Sequence, residues 1–104
     1  MIIDIEWSGA GEFEREVSVA PGKFAEICGA LQKGQAVQWR FGSSHELDFN
    51  IHFHEGAGVR YPARADQVRE SQGTLAVDSA QDYCWMWSNQ AAAAASLSVK
   101  LQRR

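Results

Sequence analysis

From Leu47 to His54 apolar and polar side chains alternate without a break: Leu47, Phe49, Ile51 and Phe53 against Asp48, Asn50, His52 and His54. An extended backbone sends successive side chains to opposite faces, so this pattern predicts a strand with one face in a core and the other toward solvent. The same period of two recurs along the chain. Ile3, Ile5 and Trp7 alternate with Asp4 and Glu6. Phe13, Val17 and Val19 alternate with acids and Ser18, with Arg15 as the blemish on the apolar side. Val37, Trp39 and Phe41, then Leu97, Val99 and Leu101, repeat it. Tyr83, Trp85 and Trp87 share one face of a further strand, with Cys84 and Met86 on the other.

Turn signals separate these segments: Gly9-Ala10-Gly11, Pro21-Gly22, Lys33-Gly34, Gly42-Ser43-Ser44 and Glu55-Gly56-Ala57-Gly58. Val59–Pro62 fits a short edge strand, where proline is tolerated, and Thr74–Val77 another strand. Residues 63–73 are polar and carry no clear period. Phe24, Ile27, Cys28 and Leu31 fit a helical stripe as well as an irregular strand. The five alanines from Ala91 to Ala95 are too few to nucleate a helix alone and read as a connecting loop. Seven or eight short strands with glycine-rich turns predict a single all-β domain over residues 1–104, an antiparallel β-sandwich.

Composition excludes several function classes. The 104 residues suffice for one domain. A net charge of −3 without a basic stripe argues against a nucleic-acid groove. No apolar run is long enough for a membrane-spanning helix. The first residues hold no basic segment and two acids, which is not a secretory signal. Taken with Met1 as the native start the chain is expected in the cytoplasm; with a leader removed it would be periplasmic or secreted. Two cysteines, Cys28 and Cys84, are too few for a disulfide scaffold and are either buried thiols or one bridge.

The residues from about Val17 to Leu101 resemble the GOLD (Golgi dynamics) domain, a β-sandwich also found in scattered bacterial proteins. Three elements carry the resemblance. Ser18-Val19-Ala20-Pro21-Gly22 is followed by Lys33-Gly34 and the strand Val37–Phe41. Leu47-Asp48-Phe49-Asn50-Ile51 places polar residues inside an apolar alternation. Asp82-Tyr83 opens a strand that closes in Trp87-Ser88-Asn89 before a small-residue loop and a last alternating strand. The resemblance implies a jelly-roll-type sandwich and a binding or adaptor module for a protein or peptide partner, with no catalytic residues to carry across. It also implies a bridge between Cys28 and the Tyr83–Asn89 strand. The family's late-strand position here is Met86, and Cys84 lies two residues earlier on the same face.

Two constellations carry chemistry. His52 and His54 stand two apart on one strand, so their imidazoles project together. Such a pair chelates Zn or Cu, with His45 or Glu55 as a third ligand. Against this, histidine on a solvent face is ordinary. Met86 joins as a soft copper(I) ligand only where it points the same way. Four tryptophans and two tyrosines form the second constellation. Trp85 and Trp87 either pack in the core or present an aromatic patch to a partner. Ser43, Ser44 and the cysteines lie in no nucleophile elbow, and the Gly-x-Gly pairs lack the rest of a phosphate loop.

The reading is therefore a non-enzymatic binding module, requiring no cofactor. Its expected surface is Asn50, His52, His54, Glu55, Tyr61, Trp85 and Trp87. The competing class is a small Cu- or Zn-binding protein using His52, His54 and His45. A hydrolase of unrecognised architecture is the third.

Overall fold

The computed structural model describes residues 1–104. Seven strands form one hydrogen-bonded, mixed sheet, and no helix occurs. They are β1 (Ile2–Asp4), β2 (Glu12–Val19), β3 (Phe24–Leu31), β4 (Ala36–Glu55), β5 (Gly58–Ala76), β6 (Gln81–Ser88) and β7 (Ala95–Arg103).

The organising element is β4, twenty residues long, paired along its length with the nineteen-residue β5. Its other edge is shared. Val37–Ser43 pair with β7, whereas Asp48–His52 pair with β6. Between these stretches the β4–β5 register shifts, and Gly42–Glu46 form an elbow. The sheet forks there into two wings, β7–β2 and β6–β3–β1. β1 runs parallel to β3, and the other pairs are antiparallel.

The wings curl toward each other and bury their inner faces. One contributes Phe13, Val17, Val19, Leu97, Val99 and Leu101; the other contributes Ile27, Leu31, Tyr83, Trp85 and Trp87. Between them β4 supplies Val37, Trp39, Phe41, Leu47, Phe49 and Ile51. The aromatic centre is tightly coupled, with Phe49 5.5 Å from Trp87 and 4.7 Å from Phe41. Trp39 lies across Gly73 on β5, where an added Cβ would meet the indole at 2.7 Å. Asn89 is buried and closes one end. Its Nδ2 donates to the carbonyls of Val19 and Ala93, and its Oδ1 accepts from the amide of Ala91. All three side-chain bonds are local or loop-closing, which is how a buried amide avoids a desolvation cost.

Several expectations are corrected. The domain is one curled sheet, not the two-sheet, jelly-roll-type sandwich implied by the GOLD resemblance. Gly42-Ser43-Ser44 is an elbow inside β4, because β5 goes on pairing with the strand past the bend while its other edge passes from β7 to β6. Residues 59–62, 63–73 and 74–76 are one continuous strand. Its polarity reflects an edge position with most side chains exposed. Phe24–Leu31, left open between helix and strand, is a strand, and the apparent helical stripe has a specific cause. Ile27 and Leu31 face the core, while Cys28 is buried on the opposite face.

Candidate functional site

The outer face of β3, β6 and the second half of β4 is set by pairing. Cys28 lies directly opposite Cys84, and Cys84 directly opposite His52. In the adjoining row Glu26 faces Met86, which faces Asn50, and Asn50 faces Arg64 of β5. Two neighbouring rows thus collect a disulfide, an imidazole, a thioether, a carboxylate and an amide on one surface.

Cys28 and Cys84 are joined by a disulfide, so neither is a thiolate. His52 is only 6% exposed, although it lies on the outer face. The expectation of a solvent-exposed His52 is therefore corrected. Its neighbours cover it: the His54 ring at 5.6 Å, edge to face, and the Tyr61 ring at 6.1 Å. His52 Nδ1 lies 2.7 Å from Asn50 Oδ1, which can only accept, so Nδ1 carries the proton and Nε2 the lone pair. Nε2 faces Glu26 Oε1 at 3.8 Å, too far for a hydrogen bond. Burial pushes the His52 pKa below its ordinary value of 6.5; Glu26 opposes the shift and His54 adds to it. The neutral imidazole dominates at neutral pH, and the approach to Glu26 is a contact of a carboxylate with a lone pair, not an ion pair.

The expected ligand set is only partly assembled. His52 and His54 are adjacent, but His45 sits in the β4 elbow, seven residues and roughly 20 Å of strand away. It is removed from the set. Trp85 and Trp87 are fully buried and are likewise removed from the expected surface. They lie on the inner face because two indoles fill the space between the wings. Their Nε1–H groups have no hydrogen-bond partner there. Met86 points away from them, to the side of His52 and the disulfide.

Toward the turn at Glu55–Gly58 this face becomes exposed. His54, Glu55, Val59 and Tyr61 are open to solvent, with Val59 and Tyr61 39% and 49% exposed. Arg64 stacks over the Tyr61 ring at 5.1 Å, and Arg60 pairs with Glu55 at 3.3 Å. The inner side of the same hairpin end is an open groove of about 450 Å³, lined in part by Phe53, Tyr61, Pro62, Leu75 and Tyr83. The Tyr61–Arg64 stack and the groove were not visible in sequence. Both depend on a register shift between Ile51 and Phe53 that turns β5 at residues 61–62.

The class these features define is a small all-β domain with one curled sheet, a cross-strand disulfide and an exposed hairpin end. No protein-family model matches the sequence. No curated protein matches it either. Solved structures do match its fold. A periplasmic inhibitor of g-type lysozyme, PliG, from Aeromonas hydrophila superposes with a TM-score of 0.78 at 18% identity. The match covers 99% of this chain and 96% of the inhibitor. PliG of Salmonella Typhimurium matches with a TM-score of 0.66 at 12% identity, over 99% and 97% of the two chains. The Yersinia pseudotuberculosis-derived mitogen matches with a TM-score of 0.67 at 12% identity, over 88% and 84%. These similarities establish the fold. They overturn the GOLD resemblance, whose quoted elements are strand and turn signals that the PliG-type architecture satisfies equally. The presence of a mitogen among the matches shows that this fold serves more than one purpose.

Proposed function

We propose that this chain is a non-enzymatic, extracytoplasmic binding protein that inhibits a g-type lysozyme by docking on it. The observation that carries the reading is the end-to-end superposition on the Aeromonas hydrophila inhibitor, with almost nothing left over in either chain. The disulfide supports an oxidising compartment, since such bonds persist in the periplasm or outside the cell. A net charge of −3 favours encounter with a cationic partner.

The docking surface in this reading is the exposed end of the β4–β5 hairpin: His54, Glu55, Val59, Tyr61 and Arg64, with Asn50 and His52 behind them. An aromatic ring stacked by arginine, beside a groove lined half by apolar side chains, is the composition from which strong contacts are built. Trp85 and Trp87 support this surface from beneath only as core residues.

The test is lysis of bacterial cell walls by a purified g-type lysozyme, followed by turbidity with increasing amounts of the chain. Saturable inhibition at near-stoichiometric ratios is expected, and it should weaken by about tenfold or more in Tyr61→Ala. A lysozyme of unrelated type serves as the specificity control. Full lytic activity at a large excess of the folded chain would overturn the reading. Inhibition equally strong in Tyr61→Ala and His54→Ala would keep the activity and dismiss the surface.

A further inference from the structure

The face behind the hairpin end holds four donors that the docking surface leaves out: Glu26, Cys28, Cys84 and Met86. The ligand atoms of Glu26, Cys28 and Cys84 all lie within 4.8 Å of one another. Cys28 Sγ is 3.9 Å from Glu26 Oε2; a disulfide sulfur has no proton to donate, so this is a contact and not a hydrogen bond. His52 Nε2 is 3.8 Å from the other oxygen of Glu26. A tetrahedral zinc ion with bonds of 2.0–2.3 Å holds its donors roughly 3.3–3.8 Å apart. Glu26 comes close to that requirement toward both the sulfurs and the imidazole; His52 falls outside the 4.8 Å group and is brought beside the sulfurs by its pairing with Cys84.

Two further features suit a metal. Asn50 holds the His52 proton on Nδ1, which leaves Nε2 as the free ligand atom and fixes the ring plane. A hydrogen bond to the non-ligating nitrogen is the usual partner of a metal-bound histidine. Met86, directly opposite both Glu26 and Asn50, adds a soft thioether to the same surface. Only the sulfur–sulfur bond prevents occupancy, because it consumes both cysteine donors.

We propose that Cys28, Cys84, His52 and Glu26 form a redox-gated site for a thiophilic d10 cation, zinc(II) or copper(I), filled when the disulfide is reduced. A thiol or phosphine reductant delivers two electrons to the bridge and yields two thiols. Metal binding then displaces the two thiol protons to solvent and transfers no electrons. The sulfurs part by side-chain rotation to roughly 3.8 Å across the ion, while the eight-residue β3–β6 ladder keeps the two strands in register. Metal and disulfide exclude each other, so a two-electron oxidant such as a small-molecule disulfide re-forms the bridge, is itself reduced to thiols, and releases the ion. The site shares His52 and Asn50 with the back of the docking surface, but its argument does not rest on the lysozyme reading.

The test uses the full chain, reduced with a phosphine under argon and freed of reductant. Zinc(II) is titrated against a chromophoric chelator, and copper(I) against a copper(I) indicator. Cobalt(II) is added separately to read thiolate charge-transfer bands. One zinc per chain with sub-micromolar affinity is expected, weakened about tenfold or more in His52→Ala and in Glu26→Gln, and lost in the double variant Cys28→Ser/Cys84→Ser. His54→Ala should bind as the unaltered chain does. Met86→Leu should weaken copper(I) alone. The oxidised chain should bind neither ion. Where reduction unfolds the chain, stoichiometric zinc must restore the native tryptophan fluorescence. Failure to restore it, or affinity unaffected by both His52→Ala and Glu26→Gln, would overturn the proposal.

Discussion

The two outer faces of this sheet, built from the same alternation on either side of the β4 elbow, have opposite characters. On the β7–β2 side the outward residues are charged and wet. Lys100 pairs with Glu14 at 3.1 Å, with side chains 42% and 65% exposed, and Arg40 stands directly opposite Lys100 despite the like charge. Such a row keeps a strand soluble and adds little stability. On the β6–β3 side the outward row is covered and covalent: a disulfide next to a buried, hydrogen-bonded histidine. The difference shows that alternation assigns a side of the sheet, not a degree of burial. A face turned away from the core becomes a second interior when its own side chains cover it.

The largest effect separating the two faces is expected at the bridge. Cys28 and Cys84 are 56 residues apart, and loop closure of that length is worth about 4 kcal/mol. Relative to the oxidised chain, the double variant Cys28→Ser/Cys84→Ser should lose stability of that order in urea unfolding. A loss below about 1 kcal/mol would mean the face is held by packing alone.

Next comes His52. Its folded-state pKa is depressed below the unfolded value of 6.5, so the unfolded chain takes up a proton first as pH falls. The contribution of neutral His52 is complete above 6.5, declines as pH drops from there to the folded-state value, and then levels off. His52→Gln should remove this component of the pH dependence when urea unfolding is compared between pH 8 and pH 5. Removing the ring altogether in His52→Ala leaves Asn50 Oδ1 without its donor and should cost about 1–2 kcal/mol. An unchanged pH dependence in His52→Gln would place the imidazole in solvent, like the charges of the other face.

The smallest effect is predicted at Lys100. Lys100→Gln breaks the ion pair with Glu14 but relieves the opposition to Arg40, and should change stability by no more than about 0.5 kcal/mol. A larger loss in thermal or urea unfolding would erase the contrast between the faces.

Pattern alone was sufficient to make β4 a strand from Leu47 onward and to separate Tyr83, Trp85 and Trp87 from Cys84 and Met86. It could not choose which of those two sets faces the core, since both are apolar. The volume between the wings makes that choice in favour of the indoles. Phe24–Leu31 stayed open between helix and strand because Cys28, which completes the helical stripe, is buried by a partner 56 residues away. The cluster around His52 was half legible. His52, His54 and Asn50 are neighbours in sequence, but Glu26, Tyr61 and the bridge reach them only through pairing of β3, β6 and β5.

The amino-acid order by itself determined that this chain is all β and where most strands run, because side-chain period is a property of the local backbone. It determined the inward set on β4 for the same reason. Tertiary structure alone decided the fork at Gly42–Glu46, the merging of residues 58–76 into one edge strand, and the covering of His52. Each of these depends on which strands share an edge, and hydrogen bonding between distant segments leaves no periodic trace in either of them.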